Sequence, residues 1–117
     1  MTPFGRKIRA LRDAQGMTAK QMAAALDVSP SYLSALEHGR RGRPGRERVH
    51  RICQCLNIVW DEADELQRLA ALSHPRITVD TAGLTPEATE LANELAQKIR
   101  KLPVARVKAL LEVLLES

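Results

Sequence analysis

The chain has few aromatic side chains: Phe4, Tyr32 and Trp60 are the only three among its 117 residues. Its core must therefore be filled by Leu, Ile, Val, Met and Ala, and that set, with abundant Arg and Glu, favours helices over sheets. No run of 18 or more apolar residues occurs, so no transmembrane helix is expected. The opening stretch "MTPFGRKIRALRD" lacks the apolar block of a secretory signal, and cytoplasmic residence is expected. Cysteine is scarce too. Cys53 and Cys55 sit two residues apart in a predicted helix, too close to pair naturally, which suits a reducing compartment. No internal repeat or low-complexity tract is present. No nucleophile–base constellation, Gly-rich phosphate loop or carboxylate pair points to an enzyme. The length allows one core, or one small domain with an appendage.

What the chain does have is arginine, unevenly placed. Residues 1–51 carry 11 Lys/Arg against Asp13, Asp27, Glu37 and Glu47, a net +7, whereas residues 52–117 sum to −3. Solvated surface charge would not segregate in this way. A polyanion-binding head joined to a differently employed tail would.

Helix signals then divide the chain. Thr2-Pro3 opens a helix with Phe4, Ile8 and Leu11 on one face, and Gly16 stops it. Thr18 with Gln21 reads as a capping box ahead of Met22, Ala23 and Leu26. Asp27 stands where a left-handed residue would end this second helix. Ser29-Pro30 starts a third, since proline at the first helical position needs no N–H and Ser29 is a good N-cap. Leu33 and Leu36 form its buried side and Gly39 closes it. Val49, Ile52, Cys53 and Leu56 mark a fourth helix stopped by Asn57. Asp61 is expected to cap a fifth, which turns Leu66, Leu69 and Ala70 inward.

The stretch "MTAKQMAAALDVSPSYLSALEHGRRGRP" resembles the helix-turn-helix of phage-repressor-type (Cro/C1, XRE-like) transcriptional regulators. Thr18, Met22-Ala23, Leu26, Val28-Ser29, Tyr32-Leu33-Ser34, Leu36-Glu37 and Gly39 carry the resemblance. It extends over about residues 4–70 as a five-helix domain, and residues 73–117 lie outside it. The fold expected is all-α: a five-helix repressor-like helix-turn-helix domain (1–72), a linker or short extended arm (73–84) and a C-terminal helical hairpin (85–117).

The resemblance implies a sequence-specific regulator, a repressor, that binds double-stranded DNA, is associated with the nucleoid and needs no cofactor. A helix of this size fits the major groove with its N-terminal residues at the base edges. Pro30, Ser31, Tyr32, Ser34 and Ala35 are then the base readers. They offer no Gln, Asn or Arg for bidentate contact, so reading falls to hydroxyls, the phenol and apolar contact with thymine methyls. Phosphate or minor-groove contact falls to Thr18, Lys20, Arg40, Arg41, Arg43 and Arg46, with Arg48 and Arg51 on the same basic run. Within that run "RGRP" resembles an AT-hook core, a sharper variant of the same role. Arg12 and Glu37 match positions that form a partly buried ion pair in many such repressors. Cys53 falls where the family often has a small core residue, and packing explains it better than metal ligation with His50, since Cys55 points elsewhere and His38 belongs to another element.

In the tail, "RITVD" alternates β-branched residues and could form a short strand or an extended arm. Thr85-Pro86 opens a sixth helix and Pro103 a seventh. Leu91, Leu95 and Ile99 on one, and Val107, Leu110, Leu111 and Leu114 on the other, exceed what two helices bury between themselves. They are the candidate dimer interface, since one recognition helix buries too little surface for specificity. The alternative is an antitoxin-like or antiactivator adaptor whose C-terminal part binds a partner protein.

Overall fold

Hydroxyl caps set the first three helix starts. Thr2 Oγ1 accepts the Gly5 amide at 3.0 Å and Pro3 opens α1 (Pro3–Ala14). Thr18 and Gln21 form a reciprocal capping box at the head of α2 (Ala19–Ala25), with bonds of 2.8 and 3.0 Å. Ser29 Oγ accepts the Tyr32 amide at 3.1 Å and Pro30 opens α3 (Pro30–Glu37). These belong to a computed structural model that describes residues 1–40 and 42–117. The described chain forms two units, Met1–Ile77 and Thr78–Ser117. The first contains α1 to α3, α4 (Arg46–Leu56) and α5 (Trp60–Ala71).

The first four helices end by one device. A residue in the left-handed region closes each: Gly16, Asp27, Gly39 and Asn57. Its own amide and the next one turn back onto the last helical carbonyls, as in Val28 N–H to Ala23 O at 2.9 Å and Asp27 N–H to Ala24 O at 3.1 Å. Carbonyls that would otherwise be orphaned are satisfied locally, so each helix can stop within a short turn.

The start of α5 departs from the sequence reading. Asp61 does not cap it; Val59 is the N-cap, without a side-chain bond, and Trp60 follows at φ 57°. An indole-bearing residue in the left-handed region is strained by about 1–2 kcal/mol. Trp60 nonetheless lies 84% exposed, while Asp61 and Glu62 occupy the first turn, where the helix dipole favours acids.

Packing joins these helices into one core of Phe4, Ile8, Met22, Ala23, Leu26, Leu33, Leu36, Val49, Ile52, Cys53, Leu56, Leu66 and Ala70. A tight approach brings α1 onto the end of α3. A Cβ placed on Gly5 would lie 1.9 Å from the Glu37 carbonyl oxygen, so only glycine fits there. The Thr2 amide donates to that same carbonyl at 3.2 Å. Ser73, absent from the sequence reading, is buried just past α5; its Oγ accepts the Phe4 amide at 3.0 Å and donates to Leu69 O at 2.6 Å. The start of α1 is thereby tied to the end of α5.

The second unit holds α6 (Pro86–Lys98), a 3₁₀ turn over Ile99–Lys101 and α7 (Val104–Leu115). Thr85 Oγ1 accepts the Ala88 amide at 3.2 Å and caps α6, whereas Pro103 precedes α7 as its N-cap instead of opening it. "RITVD" forms no strand among the described residues: Arg76 to Asp80 are irregular, and Asp80 and Thr81 instead bond locally around the turn before α6. Neither α6 nor α7 has a buried residue, and the seven apolar side chains from Leu91 to Leu114 named above are 37–63% exposed. Among the described residues no helix is long and apolar enough to cross a membrane.

Candidate nucleic-acid interface

The α2–α3 turn sets the geometry of the interface. Leu26 is buried before the turn and Leu33 and Leu36 after it, which leaves the opposite side of α3 outward. Pro30 and Ser31 are exposed there, and Ser34 and Ala35 are half-buried. Tyr32 sits differently from a free reader. It is half-buried, packs against the core, and has the Arg48 guanidinium 5.2 Å from its ring centroid. Cation–π contact thus holds Arg48 on the protein, which removes it from the set of freely extended phosphate arginines.

Arg40, Arg43, Arg46 and Arg51 are exposed along the segment from the end of α3 into α4. Arg40 Nη2 reaches back to Ser34 Oγ at 3.4 Å, and His38 Nδ1 donates to the Ser34 carbonyl at 2.9 Å. Arg41 lies outside the described residues. Pro44 is buried between exposed Arg43 and exposed Gly45, beside Gln67, Ala70 and Ala71 of α5. A proline held against the head in this way is withdrawn from any groove, which counts against the AT-hook variant. Thr18 and Lys20 are exposed at the start of α2. The Thr18 oxygen is occupied by the capping box, but its hydroxyl hydrogen stays available as a donor.

Beneath α3 lies a charged contact between helices. Glu37, buried, has Arg12 Nη2 at 3.6 Å and Arg9 Nη2 at 3.5 Å, both from α1. Arg12 is buried as well and donates to Met17 O at 3.4 Å. The contact is ionic and loose: Arg12 Nε and Glu37 Oε1 make no hydrogen bond among the described residues. Its effect is to fix the rotation of α3 about its axis, because Glu37 can approach its partners from one side only. Arg9 went unnoticed in the sequence; its position one turn before Arg12 was the available signal.

The two thiols do not add chemistry to this surface. Cys53 is in the core and Cys55 half-buried, and burial pushes both thiols above their usual range, with a backbone hydrogen bond partly opposing it at Cys53.

Comparison with known proteins places this sequence among relatives. A helix-turn-helix domain family profile matches residues 3–66. In Bacillus subtilis (strain 168), the HTH-type transcriptional repressor RghR is 33% identical over 61 residues, covering 52% of this chain and 45% of that protein. The uncharacterized HTH-type transcriptional regulator RghRB is 31% identical over 61 residues, 52% of this chain and 44% of its own length. A shorter one, YazB, is 39% identical over 59 residues, 50% of this chain and 84% of that protein. The chain thus spans under half the length of the first two relatives. No solved structure matches.

Proposed function

We propose, from the premise that this chain belongs to the helix-turn-helix domain family, that it is a transcriptional regulator that represses by binding a palindromic operator in double-stranded DNA as a homodimer. The observation that carries this reading is the outward face of α3: Pro30 and Ser31 exposed at its N-terminal end, with exposed Arg40, Arg43 and Arg46 following its C-terminal end. Pro30, Ser31, Ser34 and Ala35, with the edge of Tyr32, meet base edges in the major groove. Thr18, Lys20, Arg40, Arg41, Arg43 and Arg46 hold the phosphates and set the register of the helix on the duplex. Repression is supported by the matched repressor RghR.

The second unit supplies the dimer contact. Leu91, Leu95, Ile99, Val107, Leu110, Leu111 and Leu114 are roughly half exposed. Completing their burial at about half of the 1.5–3 kcal/mol assigned to a whole side chain gives roughly 5–10 kcal/mol per protomer. Two protomers together thereby exceed most of the about 4–15 kcal/mol lost on association. An isologous contact between two copies covers both sets at once.

Footprinting of the full chain on DNA selected from a random pool tests the reading. The expected result is a two-fold symmetric site with half-site centres about 10 base pairs apart, or a multiple of it. Sedimentation gives a dimer that a chain ending at residue 77 does not form. A monomeric full chain with an asymmetric footprint would overturn the dimer and turn the apolar tail toward the adaptor alternative.

A further inference from the structure

Past α5, the residues lie outside the span matched by the family profile, which ends at residue 66, but still within the first unit. Ser73 is buried under the start of α1, and Pro75 lies within van der Waals reach of the space beside Gly39, the residue that closes α3. Gly39 is favoured there: its φ is +77° and an added Cβ would stand 2.7 Å from Thr2 Cγ2. The segment is thus tied down at Ser73, and the residues that follow it, His74, Pro75 and Arg76, are exposed.

They do not face empty surface. His74, Pro75 and Arg76 form one wall of a cleft of about 740 Å³ whose other wall is His38, Gly39, Arg40 and Gly42. Among the described residues that line it, four of seven are basic types and none is acidic. Neither Arg40 nor Arg76 is ion-paired among the described residues. Two guanidinium groups across one cleft repel unless an anion lies between them. The negative end of α3 opens here too, but its carbonyls are already taken: Arg40 N–H bonds to Ala35 O at 2.9 Å, Gly39 N–H to Leu36 O at 3.3 Å and His38 Nδ1 to Ser34 O. The cleft is moreover linked to the reading face, since both His38 and Arg40 bond to Ser34.

We propose that this cleft grips a phosphodiester of the DNA backbone at the C-terminal end of α3, with His74 and Arg76 opposite Arg40. The inference rests on the DNA-binding reading above and adds to it a phosphate contact from a segment outside the matched domain. The ring of His38, held by Nδ1, serves as a wall, while Arg40, Arg76 and the imidazole of His74 supply the donors. Arginine favours phosphate with a forked pair of N–H groups, so Arg76 carries most of the grip.

The test is fluorescence anisotropy of the full chain on a labelled 30-base-pair duplex of arbitrary sequence, from low to moderate salt. Arg76→Ala is expected to weaken binding to all sequences and to lower the slope of log K against log salt by about 0.9, the value of one lost phosphate contact. Arg76→Lys should restore the slope, and Arg106→Ala, in the second unit, should leave it unchanged. A wild-type slope kept by Arg76→Ala overturns the cleft while leaving DNA binding intact. Wild-type chain that binds no duplex at low salt overturns the DNA-binding reading and the cleft with it. Saturation of the His74 resonance by inorganic phosphate alone, with no change in the duplex slope on Arg76→Ala, would make this a small-anion site and overturn the proposal as well.

Discussion

Gly5→Ala is the sharpest test of the packing that positions α3. The added methyl would sit 1.9 Å from the Glu37 carbonyl oxygen, 2.6 Å from its carbon and 2.7 Å from its Cα, all backbone atoms that no rotamer change can move. Ordinary contact requires roughly 1.5 Å more separation than this, and a close-packed core yields that only by shifting a helix. Overpacking of this kind costs about 1–3 kcal/mol. The Thr2 amide bond to Glu37 O would be lost in the shift at about another 1 kcal/mol, which roughly cancels the 1 kcal/mol that alanine gains over glycine inside a helix. The net expectation is a loss of about 1–3 kcal/mol, or a fall in Tm of roughly 4–24 °C for a unit of this size. Thermal unfolding of the full chain followed by far-UV circular dichroism measures it. Gly16→Ala is the control, because Gly16 is left-handed at φ +67° but faces open space, and its cost should stay near 1 kcal/mol. A Gly5→Ala chain as stable as wild type, or no less stable than Gly16→Ala, would refute the close approach of α1 and α3.

Glu37→Ala should destabilise by about 3–5 kcal/mol, since it removes the buried carboxylate beside Arg12 and leaves it only the exposed Asp13 at 3.9 Å, and urea unfolding reads this directly. Asp27→Gly removes a side chain from the left-handed turn between α2 and α3, where Asp27 is exposed at φ 59°; the urea midpoint should rise by the equivalent of up to about 1 kcal/mol, and a fall would mean that the carboxylate holds the turn. Because burial raises both thiols, alkylation by iodoacetamide at pH 8 should be slower in the native chain than in urea, slowest at Cys53; equal native and denatured rates would contradict the packing of α4.

Much of the first unit could be read in advance because its signals are local. A cap bond spans four residues and a left-handed closure six, so Thr2, Thr18, Ser29, Gly16, Asp27, Gly39 and Asn57 announce their roles within short windows. Gly5 and Ser73 announce nothing, since their partners lie 32 and 69 residues away and neither residue type is distinctive where it stands. Asp61 misled for the converse reason. It is a good capping residue in a good position, but α5 begins a residue before it, because Ile58 packs on the core and sets the register there. At the candidate site, the arginine run was legible as charge and not as geometry. That Arg48 would turn onto Tyr32, and that Pro44 would be buried, depends on how α4 and α5 pack. Arg76 belongs to "RITVD", whose alternation looks the same whether or not another strand is present to pair with it, and His74 to the linker or extended arm expected over 73–84.

The exposed position of Trp60 has a consequence for what light reports about this molecule. The chain's one indole stands 84% in water at the α4–α5 turn, while the core it might have sensed contains Phe4 as its only aromatic ring. Its emission is already that of a hydrated indole in the native state, so unfolding should change its colour little and a fluorescence melt would run almost flat through a real transition. The same residue is correspondingly well placed to register anything that covers the turn. A blue shift at constant temperature would signal an arrival at that surface, and not a change in the fold beneath it.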